Sequence, residues 1–158
     1  MNLDKTITHA QEEDSEILKM FEHKSYLSKL VSNGWISSYK SLLLMLREMQ
    51  RSGELPVHPQ DNYLNNNELA LNIYKNKYYL KDLDCIHIEK RPEEVFARLA
   101  AFIAANEKTE EKQKEWAIKF YNQIYNGQYL PGGRVIAGAG DLYRLKTLAN
   151  CFVTLIEQ

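Results

Sequence analysis

Two cysteines, Cys85 and Cys151, are too few for a disulfide framework, so this 158-residue chain has to be held by a buried core. No apolar run approaches the roughly 20 residues that a membrane span needs. The N-terminus, MNLDKTITHAQEEDSEI, is polar and acidic, unlike a secretory signal. An excess of one charge is missing too. A formal net charge of -1 gives no electrostatic reason to expect nucleic acid or an acidic membrane as partner. The four histidines, His9, His23, His58 and His87, show no ligand spacing with cysteine or carboxylate partners, so no metal site is expected. There is no internal repeat and no low-complexity tract. These absences leave a cytoplasmic, thiol-reducing setting as the expectation.

What is present reads as helix for most of the length. The apolar share of 44% and the charged share of 26% are ordinary for a globular protein. Residues 1–11 have the look of a frayed leader. From about Glu12 to Ser32, Ile17, Met20, Phe21, Leu27 and Leu30 recur at helical spacing, and Asn33-Gly34 should break that run. A second helix is expected from about Ile36 to Arg51, with Ile36, Tyr39, Leu43, Leu46 and Met49 on one stripe and Ser52-Gly53 as its stop. Glu54 to Asn65, with Pro56 and Pro59, reads as a linker. Asn65-Asn66-Asn67 should cap a helix in which Leu69, Ile73 and Tyr74 share a face, and Lys77-Tyr78-Tyr79-Leu80 should leave it. Cys85-Ile86-His87-Ile88 alternates like a short strand or hairpin arm. Arg91-Pro92-Glu93-Glu94 combines a first-turn proline with carboxylates at the positive end of the helix dipole, and Val95, Phe96, Leu99, Phe102 and Ile103 should point inward. Thr109-Glu110-Glu111 starts a further helix, to about Asn126-Gly127, with Trp116, Phe120 and Ile124 at core spacing.

Past Pro131 the pattern changes. Gly132-Gly133-Arg134-Val135-Ile136-Ala137-Gly138-Ala139-Gly140 reads as a glycine-rich loop, and Asn150 to Ile156 as a buried strand rich in β-branched residues. The loop fails the common nucleotide templates. Ala139 stands where a Walker lysine belongs, Tyr143 occupies the third glycine of a dinucleotide fingerprint, and no strand precedes the loop. Its backbone amides could hold a phosphate as a nest, or the segment could simply connect two elements. A terminal strand cannot pair its backbone alone, so the sheet it belongs to is expected in residues not present here. Taken by itself, Cys151 fits a small buried hydrophobe. Cys85, in a polar-flanked segment, suits a surface or packing role. Tyr121, Tyr125 and Tyr129 form a helical stripe best read as packing, and Glu110-Glu111-Lys112 with Lys114-Glu115 as a solvated face.

Four segments together carry a resemblance. NELALNIYKNKYYLKD, RPEEVFARLAAFIA, FYNQIYNGQYLPGGRVIAGAG and LANCFV occur in the order and spacing of the large catalytic subunit of ribonucleotide reductase, over roughly Asn66 to Gln158. The Pro-Gly-Gly-Arg and Ala-Gly-Ala-Gly version most resembles the adenosylcobalamin-dependent branch. The resemblance implies a mainly α fold, with the helical N-terminal domain followed by the first strand of a ten-stranded α/β barrel that is otherwise missing. It divides the chain into a helical extension with linker over 1–65, without an ATP-cone, an all-helical domain over 66–130, and a truncated loop and strand over 131–158.

The same resemblance implies an N-terminal fragment, inactive alone, of an enzyme that reduces ribonucleotides to deoxyribonucleotides by thiyl-radical chemistry. Cys151 then corresponds to one of two redox-active barrel cysteines, its partner lying outside this chain, while Cys85 has no counterpart. Gly132, Gly133 and Asn150 fall where the family lines the substrate's phosphate and ribose. The implied partners are the remaining C-terminal part of the reductase, a ribonucleotide, a thioredoxin-type reductant and a second copy in a homodimer, with no nucleic acid and no membrane. Adenosylcobalamin is implied for the complete enzyme, not for this fragment alone. Two other readings stand beside this one: a fragment of a di-metal-dependent reductase, and a freestanding helical module that binds a protein partner.

Overall fold

The computed structural model describes residues 14–23, 29, 31–58 and 67–149. Among these the chain is mainly helical and has no strand. Residues 14–22 form α1, which buries Ile17 and Met20. Helix α2, Asn33–Ser52, starts about one turn earlier than its apolar stripe from Ile36 suggests. Asn33-Gly34 does not break the chain here but forms the first turn of α2. The reason is Ser32, whose side chain accepts from the Trp35 amide at 3.2 Å and satisfies an otherwise orphaned donor. At the other end Gly53, with φ 82°, provides the left-handed stop expected of it.

Helix α3, Glu68–Ile73, is capped by Asn67, whose side-chain oxygen accepts from Ala70 N at 3.1 Å. It does not end before Lys77. It widens into a π-helical turn, Tyr74–Tyr78, closed by the bond from Tyr79 N to Tyr74 O at 2.9 Å. The face it turns inward is also different from the one expected. Leu69 is 70% exposed, while Leu71, Tyr74 and Tyr78 pack on the core. The hairpin arm around His87 shrinks to a single antiparallel bridge, Lys81 to His87. Asp82 Oδ1 organises its tip by accepting from the amides of Asp84 and Ile86, at 2.9 and 2.8 Å.

Helix α4, Pro92–Ala104, is the centre of the domain and packs against both α2 and α5. Glu94 reaches back to accept from Arg91 N and Lys90 N at the helix start, as the Arg-Pro-Glu-Glu signature suggests. Val95, Phe96 and Leu99 are buried, together with an alanine series, Ala97, Ala100, Ala101 and Ala104, that lets neighbouring helices approach closely. Helix α5, Glu110–Tyr125, is capped by Thr109 and buries Ala117, Tyr121 and Ile124. Trp116 and Phe120 are only half-buried, one position off the innermost row. The tyrosine stripe does pack, deepest at Tyr121 and fading to an exposed Tyr129. The charged face is solvated, with Lys114–Glu110 and Lys119–Glu115 pairs across it.

Gly133–Gly138 is not a loop but a short helix, α6. Its Ile136, with Ala139 and Leu142 just beyond, joins the core cluster shared by α1, α2, α4 and α5. Each fully buried large apolar side chain in such a core contributes roughly 1.5–3 kcal/mol. Leu148 and Ala149 carry no regular secondary structure, and the strand expected to follow lies outside the described residues.

Candidate functional site

The Gly132–Gly140 segment is held from beneath by the buried side chain of Arg98, with Tyr39 and Lys146 adding one bond each. Arg98 of α4, 1% exposed, donates from Nε to Glu89 Oε1 at 2.7 Å and from Nη2 to Glu89 Oε2 at 3.2 Å. Its remaining donors go to three backbone carbonyls. Nη2 reaches Tyr78 O and Ile136 O, each at 3.0 Å, and Nη1 donates to Ala139 O. Burial works against this guanidinium's charge, but the adjoining Glu89 carboxylate outweighs it, and the net effect raises the Arg98 pKa. Glu89 Oε2 in turn accepts from Leu80 N at 2.8 Å. The pair therefore joins α4, the π turn, the hairpin and α6 at one buried point.

This arrangement explains why a run of small residues becomes helical. Four glycines in nine residues make a poor helix on propensity alone. Here the carbonyls at the end of α6 are satisfied by a fixed cation, an arrangement that also suits the negative end of a helix dipole. Gly140 completes it. Its φ is 82°, and an added Cβ would collide with the Tyr39 hydroxyl and come within 2.9 Å of Arg98 Cγ. Tyr39 instead donates its hydroxyl to Gly140 O at 2.9 Å, and burial pushes this phenol far above the usual tyrosine range.

The chain after α6 folds back and is tied down by its charges. Asp141 Oδ1 accepts from the amides of Tyr143 and Arg144, at 3.0 and 3.2 Å. Arg144 donates to Lys81 O at 2.8 Å and to Asp82 O, fastening the segment to the hairpin. Lys146 donates to Ala137 O at 3.1 Å and places its ammonium 3.0 Å from Asp141 Oδ2. That carboxylate oxygen is enclosed and has no aligned hydrogen bond, so its charge is compensated by the ammonium of Lys146 and, at 3.9 Å, by Arg144 Nη1.

Of the residues singled out from sequence, Gly132 and Gly133 are exposed at the start of α6. The Tyr78 hydroxyl lies 3.3 Å from where a Cβ on Gly133 would stand. Asn150 and Cys151 lie outside the described residues. Cys85 is an exposed free thiol in the hairpin tip, at the left-handed φ of 64°. Sequence reasoning missed Arg98, Glu89 and Tyr78, and it placed Tyr39 on the buried stripe of α2 without its bond to Gly140. For Arg98 a signal was available, because it is the lone charge inside the apolar run Val95-Phe96-Ala97-Arg98-Leu99-Ala100-Ala101-Phe102.

A cleft of about 180 Å³ opens elsewhere, lined by Arg47, Gln50, Arg51, Val57, Arg91, Glu93 and Glu94. Its guanidiniums are engaged within the protein: Arg47 and Arg51 with Asp14, and Arg91 with the His58 carbonyl. A second cleft of about 280 Å³ lies between the π turn and the hairpin, beside Tyr79 and His87. Neither gathers a set of groups with an evident reaction.

The model of the family described as ribonucleotide reductase, all-alpha domain, matches residues 64–144, just over half of the chain. The chain belongs to that family. No curated protein matches it, and no solved structure does.

Proposed function

We propose that this chain is the N-terminal part of a ribonucleotide reductase large subunit and that it supplies one edge of the substrate site. The observation that carries the reading is the family match across residues 64–144, which takes in α4, α6 and the clamp between them. In this reading Gly132 and Gly133 lie along the ribonucleotide's phosphate, with backbone amides in place of side-chain hydroxyls, and Asn150 faces the ribose. Cys151 is one of two cysteines that supply the reducing equivalents. Two thiols give up two electrons and two protons, the ribonucleotide loses one hydroxyl as water, and the cysteines become a disulfide. A thioredoxin-type dithiol then regenerates them by exchange. A thiyl radical from elsewhere in the enzyme starts the reaction.

The glycine-rich variant favours the adenosylcobalamin-dependent branch. The two clefts described above, of about 180 and 280 Å³, fall below the roughly 300–1,000 Å³ of sites for drug-sized ligands, and this cofactor is larger than those. Neither cleft fits it, so in this reading the cofactor is held by another part of the enzyme, and no step here passes through it. Among the described residues no helix is long and apolar enough to cross a membrane.

The test is deoxyribonucleotide formation by the reductase that carries this chain, with a thioredoxin-type reductant. Cys151→Ser should abolish multiple turnover while leaving substrate binding close to normal, since the replacement is nearly isosteric but cannot form a disulfide. Cys85→Ser should turn over like the parent, because Cys85 sits on the hairpin tip. A fully active Cys151→Ser enzyme would remove this cysteine from the mechanism.

A further inference from the structure

The π turn delivers a group that the proposed chemistry leaves unused. The half-buried ring of Tyr78 is fixed edge-on against Tyr74, with centroids 5.2 Å apart and planes at 83°. Its backbone carbonyl is held by Arg98 Nη2 at 3.0 Å, the same nitrogen that holds Ile136 O of α6. Backbone and ring are therefore both immobilised relative to the glycine segment. The hydroxyl is not used in this fixing, and it donates to no acceptor among the described residues. It lies 3.3 Å from the position of a Cβ on Gly133, and Gly133 itself is exposed. The phenolic oxygen of this half-buried ring thus borders the exposed Gly133. π-helical turns are rare and recur at functional sites, and this one ends at Tyr78.

We infer that Tyr78 is a substrate-binding residue, whose hydroxyl donates to a phosphate oxygen of a ribonucleotide lying along Gly132 and Gly133. The inference rests on the proposed reductase function, which supplies the ribonucleotide. The chemistry suits the place. An anionic oxygen strengthens a hydrogen bond from a neutral donor, and a donor already fixed in position loses little freedom when it binds. It also accounts for the glycine at 133. A methyl group there would crowd the hydroxyl at 3.3 Å and push it off its line.

The experiment is steady-state reduction of CDP and CTP by the reductase that carries this chain, comparing the parent with Tyr78→Phe. The replacement keeps the ring and removes only the donor. KM for the accepted nucleotide should rise roughly tenfold, the loss of one hydrogen bond to a charged group, while kcat and the thermal midpoint stay at parent values. Gly133→Ala should raise KM by a similar factor alone and add little to Tyr78→Phe, because both act on the same contact. An active parent with an unchanged KM in Tyr78→Phe overturns the inference alone. A joint fall of kcat and thermal midpoint also overturns it and makes Tyr78 a packing residue. A parent that forms no deoxyribonucleotide overturns the functional reading, and the inference with it.

Discussion

At the scale of single residues, two glycines with similar backbone angles should answer very differently to alanine. Gly127 has φ 68° with nothing within 4 Å of an added Cβ. Gly127→Ala should cost only the left-handed backbone penalty of roughly 1–2 kcal/mol. Gly140 has φ 82° and would drive its Cβ into Tyr39 and Arg98. Gly140→Ala adds overpacking, typically 1–3 kcal/mol, and should lose clearly more in urea unfolding; equal losses would contradict the geometry. Arg98 makes a sharper case. Arg98→Met strands the buried Glu89 carboxylate and three carbonyls, so a loss of about 3–5 kcal/mol is expected by the same measurement. Adding Glu89→Gln should recover part of it, because the orphaned charge disappears. A double variant no more stable than Arg98→Met would show that the carbonyl contacts, not the ion pair, dominate.

At the scale of elements, the start of α4 stores a pH dependence. Burial pushes the Glu94 carboxyl above the usual carboxylate range, against the opposing pull of Arg47 and of the Lys90 and Arg91 amides. A folded-state pKa above the unfolded value means that the folded chain binds the proton more tightly. The stabilisation is then complete below the ordinary glutamate range and is lost as pH rises through the raised folded value. Glu94→Gln keeps an acceptor for the helix start but removes the titration, so its stability should be flatter than the parent's across that window. Unfolding midpoints in urea from about pH 4 to pH 7 measure it, with the carboxylate reference range set near 4.3; parallel profiles would refute the assignment. Such helix ends were largely legible in the sequence. Ser52-Gly53, Asn67 and Arg91-Pro92-Glu93-Glu94 act through chemistry local to a few residues, and each does what its residue types suggest. Asn33-Gly34 misled because glycine is tolerated in a first turn once Ser32 supplies the cap. Leu69 misled because the π turn shifts the face that α3 presents to the core.

At the scale of the whole molecule, what the sequence hid was contact between distant segments. Gly133–Gly138 looked like a loop because its helicity is imposed by Arg98, 38 residues from Ile136 and 41 from Ala139. Gly132 and Gly133 stood out as small residues, but Tyr78, which borders them, gave no local sign, since its place depends on the π turn and on Arg98. The family resemblance could be read because four separate segments kept their order and spacing, and the match over residues 64–144 covers the helical body of it. The Arg98–Glu89 pair also governs how the native state opens. Peeling α6 or the hairpin away would leave a bare charge facing a void, so neither can fray by itself at small cost. Backbone amides of α4, α6 and the hairpin base, residues 80–81 and 87–89, should therefore exchange with deuterium as one unit, at a single free energy of opening, while the exposed hairpin tip exchanges earlier.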